Sequence, residues 1–338
     1  MSHTLLENAH AVLFPAFSNL SLSDAVNRHL SSGGCSVLLG ETRSEYVARK
    51  MSPGRMAEET VESFHEVTAR AKGLAGSLLV AVDQEICGIC RLHGLAPAFP
   101  SAAKLAGMEE TEFEALAGRV AATARGLGIN CFLSPILDCV TGVNPWLRNR
   151  TWSRDVSAIG ALSSAFIRGV QRHGVAATAK HFPGYADIAL DPAEEAEARS
   201  RVPRAVVEAG LGAFAQAVDA GVELVMLGPA IVEAVDPQCP ASVSAATIAL
   251  LRDRFGFDGV VMTDGLEAPA TSLGRDVAEV AVDALNAGAE MLLVGDEGGK
   301  LDTLAARIVR AVDSGELPEE RLQRAADRVR ALSRRYSA

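Results

Sequence analysis

The chain has no basic cluster with interleaved aromatics, and aromatic residues make up only 5% of its 338 positions. Its formal net charge of −10 and pI near 5.3 disfavour nucleic acid or an anionic membrane as partner, because both attract basic surfaces. No apolar run approaches the roughly 18 residues of a spanning helix. The first 16 residues lack a basic segment followed by a long apolar core. A soluble, cytoplasmic protein is expected. No Ser-His-Asp spacing or GxSxG elbow is present, which argues against acyl transfer. No glycine-rich phosphate loop follows an early strand. The cysteines are Cys35, Cys87, Cys90, Cys131, Cys139 and Cys239. Most sit in or beside apolar runs, where cysteine acts as a small hydrophobe. Cys87-Gly88-Ile89-Cys90 is a CxxC, but no second CxxC or spaced His pair completes a zinc set.

What the chain does have is a series of short, continuous apolar runs separated by helical patterns. Hydrophobic residues make up 49% and charged residues 22%, as in a globular protein with a large core. The runs fall at 11–15, 35–39, 78–82, 131–137, 175–179, 223–227, 259–263 and 290–294. Continuous rather than alternating hydrophobicity marks parallel strands covered on both faces. Helices are expected at 21–31, 55–73, 104–127, 154–173, 203–220, 244–255, 276–287, 299–313 and 318–335. Ser21, Ser153 and Ser244 stand at helix starts, and Gly128, Gly174, Gly221, Gly256 and Gly288 where helices should stop. Eight strands alternating with helices indicate an α/β fold, a (β/α)8 TIM barrel. A doubly wound open sheet is the alternative. No linker divides the chain, so residues 1–338 read as a single domain.

Barrels carry their chemistry at the C-terminal ends of the strands. Those positions hold Asp83-Gln84-Glu85, Asp138, Lys180-His181 and Asp264, with Arg91 and Arg150 in the following loops. The segment Lys180-His181-Phe182-Pro183-Gly184 is the most informative, because a cation and an imidazole emerge together where a strand meets a Pro-Gly turn. Charge is costly to bury, so such a strand end displays its charges to something. Asp83, Glu85, Asp138 and His181 could form an oxygen-rich metal set. A polyol pocket fits better: carboxylates and Lys, Arg and His donors gripping hydroxyls, with one carboxylate beneath an electrophilic carbon. The expectation is therefore no cofactor and no metal.

In this pattern the chain resembles glycoside hydrolase family 3, in its single-domain bacterial β-N-acetylhexosaminidase branch. The likeness rests on Val82-Asp83-Gln84-Glu85, on the Lys-His-Phe-Pro-Gly segment, on Pro240-Ala241-Ser242-Val243-Ser244 and on Gly256 to Glu267 (GFDGVVMTDGLE). The resemblance implies a barrel that hydrolyses β-glycosides with retention through a covalent glycosyl-enzyme. It makes Asp264 the nucleophile, gives Asp83 the outer sugar hydroxyls, and assigns Arg91, Arg150, Lys180 and His181 to the ring substituents and acetamido group. The partner is then a small-molecule glycoside or amino sugar. Retention requires a carboxylate on one face of the sugar and an acid on the other, roughly 5 Å apart.

Several positions depart from the family pattern. The family's Asp-Gln-Glu-Gly-Gly-Arg becomes Asp83-Gln84-Glu85-Ile86-Cys87-Gly88, losing an Arg. After Lys-His-Phe-Pro-Gly the family continues His-Gly and a short loop ending Asp-Ser-His; here Asp191 survives, but the acid/base His is Ala193. The family's His after the sixth strand is also lost, at Gly228-Pro229-Ala230. Three outcomes are compatible with this. Another group supplies the proton, with Asp187 and Asp191, then Glu194, Glu195 and Tyr185, as candidates. Or the enzyme is repurposed, for good leaving groups or glycosyl transfer. Or the protein binds sugar without catalysis.

Overall fold

A computed structural model describes residues 3–295 and 300–337. Its strands, in chain order, are β1 (Leu13–Phe17), β2 (Ser36–Leu39), β3 (Leu79–Val82), β4 (Cys131–Phe132), β5 (Ala176–Phe182), β6 (Arg199–Ser200), β7 (Leu224–Leu227), β8 (Ile231–Val232), β9 (Val260–Met262) and β10 (Leu292–Gly295). Eight of them form one parallel sheet in the order β10-β1-β2-β3-β4-β5-β7-β9. The sheet closes through a parallel bridge between Met262 and Met291, reinforced by the Thr263 N–H donating to the Met291 carbonyl at 3.0 Å. The fold is a (β/α)8 barrel. β6 and β8 pair separately as a small ribbon in the loops after β5 and β7.

All eight apolar runs coincide with barrel strands, and their side chains are buried on both faces, as continuous hydrophobicity demands. Three boundaries differ most. β4 ends at Phe132, although its apolar run continues to 137. The run at 11–15 begins inside a helix, Leu5–Val12, and β1 starts at Leu13. Thr4 and Glu7 form a reciprocal capping box that starts this helix. The fifth strand does not stop before Lys180 but runs through to Phe182, so Lys180 and His181 are strand residues. Their shared peptide bond is cis, as is Phe182–Pro183, and the register against β7 shifts between Lys180 and Phe182.

The long helices expected at 55–73 and 104–127 are each divided. Pro53–Glu58 is capped by Ser52, and a second helix, Val61–Ala75, restarts at the Thr60 cap. Likewise Ala102–Leu105 precedes Glu110–Gly126. Position 299, at the start of an expected helix, lies outside the described residues; the helix observed there is Leu301–Asp313. The last helix, Glu319–Ser337, packs on the first, where the Arg330 guanidinium donates to Asn8 Oδ1 at 2.7 Å. Among the described residues no helix is long and apolar enough to cross a membrane.

Helices Glu110–Gly126 and Val156–Gln171 meet at Gly169, where an added Cβ would overlap the Glu114 carbonyl oxygen. Gly169→Ala should therefore destabilise the fold by about 1–3 kcal/mol, the usual cost of overpacking. Urea denaturation would measure this, and an unchanged midpoint would show that the helices separate freely.

Candidate active site

Because all eight barrel strands are parallel, the residues that end them share one mouth. Lys180, on β5, is 2% exposed, and its ammonium is held by two carboxylates from the loop after β3. Nζ donates to Asp83 Oδ1 at 2.6 Å and lies 3.0 Å from Glu85 Oε1. Glu85 is also gripped by Arg150, whose Nη2 and Nε donate to its two oxygens at 2.6 and 3.2 Å. The Ile89 N–H adds a third donor at 2.9 Å. Burial alone would raise the Glu85 carboxyl, but the Arg150 and Lys180 charges bring it down to about 2. Burial also opposes the Lys180 charge, yet Asp83 and Glu85 raise its pKa above the ordinary value. Each charge in this network faces one of opposite sign within hydrogen-bond reach, the condition under which buried charge is tolerated.

His181 has a different anchor. Its Nδ1 lies 2.8 Å from Asp138 Oδ2, which also accepts its backbone N–H at 3.0 Å, while Asp138 Oδ1 accepts from the Tyr185 N–H at 2.8 Å. Burial lowers the His181 pKa despite Asp138. A neutral ring facing a carboxylate carries its proton on Nδ1, which leaves Nε2 as an acceptor. Trp146 packs against this ring at 4.3 Å between centroids and lies beneath the Arg150 guanidinium at 5.6 Å.

Asp264 follows β9 and is half-buried. Its backbone is fixed by N–H bonds to the Leu227 carbonyl at 3.1 Å and Ser242 Oγ at 3.2 Å. Among the described residues its carboxylate accepts only from the adjacent Gly265 N–H, at 2.7 Å. The Pro240–Ser244 segment thus contributes Ser242 as a brace for the loop after β9.

Arg91 was expected to bind a ring substituent, but its guanidinium is spent on the protein itself. It is fully buried; Nε donates to the Gly40 carbonyl at 2.7 Å, and Nη1 and Nη2 clasp Glu59 at 2.5 and 2.7 Å. It ties the loop after β2 to the helical layer. Arg150 acts on the site through Glu85, as described. Asp187, a candidate acid, packs its carboxylate over Gly142 in the loop after β4. Asp191 turns inward on its own loop, with Oδ1 accepting the Ala193 N–H at 2.9 Å. Glu194 pairs with Arg43 at 2.9 Å on the surface, and Glu195 is exposed. The loop carrying these residues is fastened on several sides. The Ala186 carbonyl accepts from Thr141 and Gly142 at 3.0 Å, and the Pro192 carbonyl accepts from Ala270 at 3.2 Å.

Tyr185 explains one departure from the family pattern. Its ring fills the space that a side chain at 228 would need, since a Cβ on Gly228 would overlap the phenol. The hydroxyl donates to the Ala230 carbonyl at 2.8 Å and accepts the Ala230 N–H at 3.3 Å. Burial pushes its pKa well above the ordinary value, which makes it a poor proton donor. Gly88 explains another. At φ +97° it lets Arg150 lie against Glu85, where any side chain would meet Glu85 Oε2 at 2.5 Å and Arg150 Cγ at 2.9 Å.

The chain matches the glycosyl hydrolase family 3 N-terminal domain over residues 47–332. It belongs to glycosyl hydrolase family 3. A β-hexosaminidase of Methylobacillus flagellatus is 32% identical over 190 residues, which is 56% of this chain and 54% of that protein. The match therefore spans about half the length of that relative. One from Idiomarina loihiensis is 29% identical over 255 residues, covering 73% of this chain and 76% of its own length. Among solved structures, a family 3 β-N-acetylglucosaminidase from Paenibacillus sp. FPU-7 superposes with a TM-score of 0.88 at 28% identity. That match covers 99% of this chain and 63% of the other. The protein LpqI of M. tuberculosis gives a TM-score of 0.80 at 26% identity, covering 98% and 94%.

Glu41, Trp146 and Tyr46, whose hydroxyl accepts from Arg150 Nη1 at 3.1 Å and from Trp146 Nε1 at 2.9 Å, were not anticipated from the sequence of this family 3 barrel. Glu41 follows its apolar run after one glycine, where Asp83 follows directly, so the strand-end rule extended by one residue finds it. Trp146 and Tyr46 sit in loops or short helices with no periodic signal. The charge network predicts acid sensitivity. The depressed Glu85 carboxyl stabilises the fold fully above its ordinary value of 4.5, and this contribution is lost as pH falls from there through about 2. Arg150→Met should cost about 3–5 kcal/mol, as expected for breaking a buried pair, and should move the acid transition to higher pH. Denaturation followed from pH 2 to 7 would show both effects; an unshifted acid limb would mean that Lys180 alone holds Glu85.

Proposed function

We propose that the protein cleaves or transfers β-linked amino sugars by retaining chemistry, with Asp264 as nucleophile and no general acid from the loop after β5. The supporting observation is the contrast between two positions: Asp264 presents a carboxylate that no side chain among the described residues engages, while the loop where the family places its acid/base offers Ala193. The candidate substitutes are directed elsewhere, Asp187 onto Gly142, Asp191 onto its own turn and Tyr185 onto the Ala230 carbonyl.

In this mechanism Asp83 and Lys180 hold the ring edge remote from the anomeric carbon, and His181 Nε2 accepts from a sugar donor. An Asp264 oxygen forms a bond to the anomeric carbon as the glycosidic C–O bond breaks. The leaving group departs with the bonding electron pair and takes no proton from the protein. Water or another acceptor then displaces Asp264 from the glycosyl ester and loses its own proton to solvent. General acid–base catalysis contributes typically about 10²–10⁴ in rate, so ordinary disaccharides should react slowly. A good leaving group or a strong acceptor removes most of that handicap. Sugar binding without turnover is the second reading, favoured by the loop being fastened at Pro192 and Ala186.

Rates on aryl glycosides should rise steeply with leaving-group acidity, and azide should accelerate turnover wherever deglycosylation is slow, because an anion needs no deprotonation. A shallow dependence that becomes steep after Asp187→Ala or Asp191→Ala would establish a replacement acid. No cleavage of any aryl glycoside would favour the binding reading.

A further inference from the structure

Among the described residues, Glu41 is an acidic group at the mouth that the proposed reaction leaves without a task. It follows β2 by two residues, between Gly40, whose carbonyl takes the Arg91 Nε bond, and Thr42, the cap of helix Arg43–Ala48. Its backbone is therefore fixed on both sides. Its Oε2 is closed to solvent and has no hydrogen-bond partner, although other parts of the residue remain partly accessible. A buried acceptor left unpaired costs about 1–3 kcal/mol, so a built fold that keeps one points to a ligand that pairs with it.

The charges around Glu41 say what kind of ligand. Asp83 and Glu85 face it from the loop after β3, Lys180 faces it from β5, and Arg91 approaches from the loop beyond Glu85. Arg91 is consumed by Glu59, and Lys180 is shared between Asp83 and Glu85. Arg150 is spent on Glu85. No cation among them is left for Glu41. Burial first, then repulsion from Asp83 and Glu85, push its carboxyl up to about 8, with Lys180 and Arg91 pulling the other way. The group waits protonated at neutral pH and ionises when a positive charge arrives.

We propose that Glu41, together with Asp83 on the neighbouring strand end, binds a free ammonium group on the glycone, at the edge of the ring remote from the anomeric carbon. The assignment rests on the reading of Asp83 and Asp264 given above, which places that edge at the ends of β2 and β3. An ammonium has three donors, enough to satisfy Glu41 and the Asp83 oxygen that Lys180 does not take. The substrate class is then a β-glycoside with an unacylated amine at C4 or C6.

Calorimetry on the whole chain at pH 7 tests this with methyl N-acetyl-β-glucosaminide and its 4-amino-4-deoxy and 6-amino-6-deoxy derivatives. One amino derivative should bind at least about tenfold tighter than the parent, equivalent to about 1.4 kcal/mol. Its apparent enthalpy should vary with the buffer, because Glu41 releases its proton on binding. Glu41→Gln mimics the protonated form, so it should fold normally, keep parent binding and lose the preference. Parent binding with no amine preference, or a preference that survives Glu41→Gln, overturns the ammonium site and leaves the glycosidase reading standing. Failure of all three sugars to bind overturns both.

Discussion

Lys180 is the point on which the mouth of this barrel depends. A fully buried ammonium on a central strand is stable only if its charge is matched, and Asp83 and Glu85 supply the match from the next loop but one. That requirement propagates outward. Glu85 must itself be balanced, which draws in Arg150. Arg150 needs room, which Gly88 gives by lacking a side chain at φ +97°. Trp146 then lies between Arg150 and His181, and Asp138 orients His181 while anchoring the start of the next loop through the Tyr185 N–H. The site is a chain of compensations built on rigid strand ends, and removing one member leaves its neighbour buried and unpaired.

The departures from the family pattern are matched to one another in the same way. The missing Arg after Glu85 is the position where Arg150 now comes close. The missing His after β7 is the space that the Tyr185 ring occupies, and Tyr185 in turn stands where the family has its own His. The loop that would carry an acid/base is bonded to its surroundings through Ala186, Pro192 and Glu194. These adjustments compensate one another around Asp264, the position proposed as nucleophile.

Much of this was legible in the sequence, for identifiable reasons. Continuous apolar runs located all eight barrel strands, because parallel strands covered on both faces leave no alternation to confuse them. The rule that strand ends carry chemistry singled out Asp83, Lys180, His181 and Asp264, which the structure places at the ends of parallel strands around one mouth. It failed for Arg91, since sequence gives a loop position but not the direction of a long side chain, and Glu59, its partner, lies 32 residues away. The same limit hid the orientation of Asp187 and Asp191. The helix at Leu5–Val12 was overlooked because its apolar residues merge with those of β1, although the Thr4 and Glu7 capping signal was there to be read.

The central claim is that Asp264 is a working nucleophile in a mouth without a general acid. The most direct measurement is covalent trapping with a 2-deoxy-2-fluoro β-glycoside bearing an activated leaving group, followed by peptide mass mapping. The fluorine destabilises the oxocarbenium-like transition state, and the activated leaving group lets the ester accumulate without a proton donor. One glycosyl unit attached at Asp264 is the predicted result. A label on any other carboxylate would contradict the assignment, and an unlabelled protein that still binds the sugar would contradict catalysis itself.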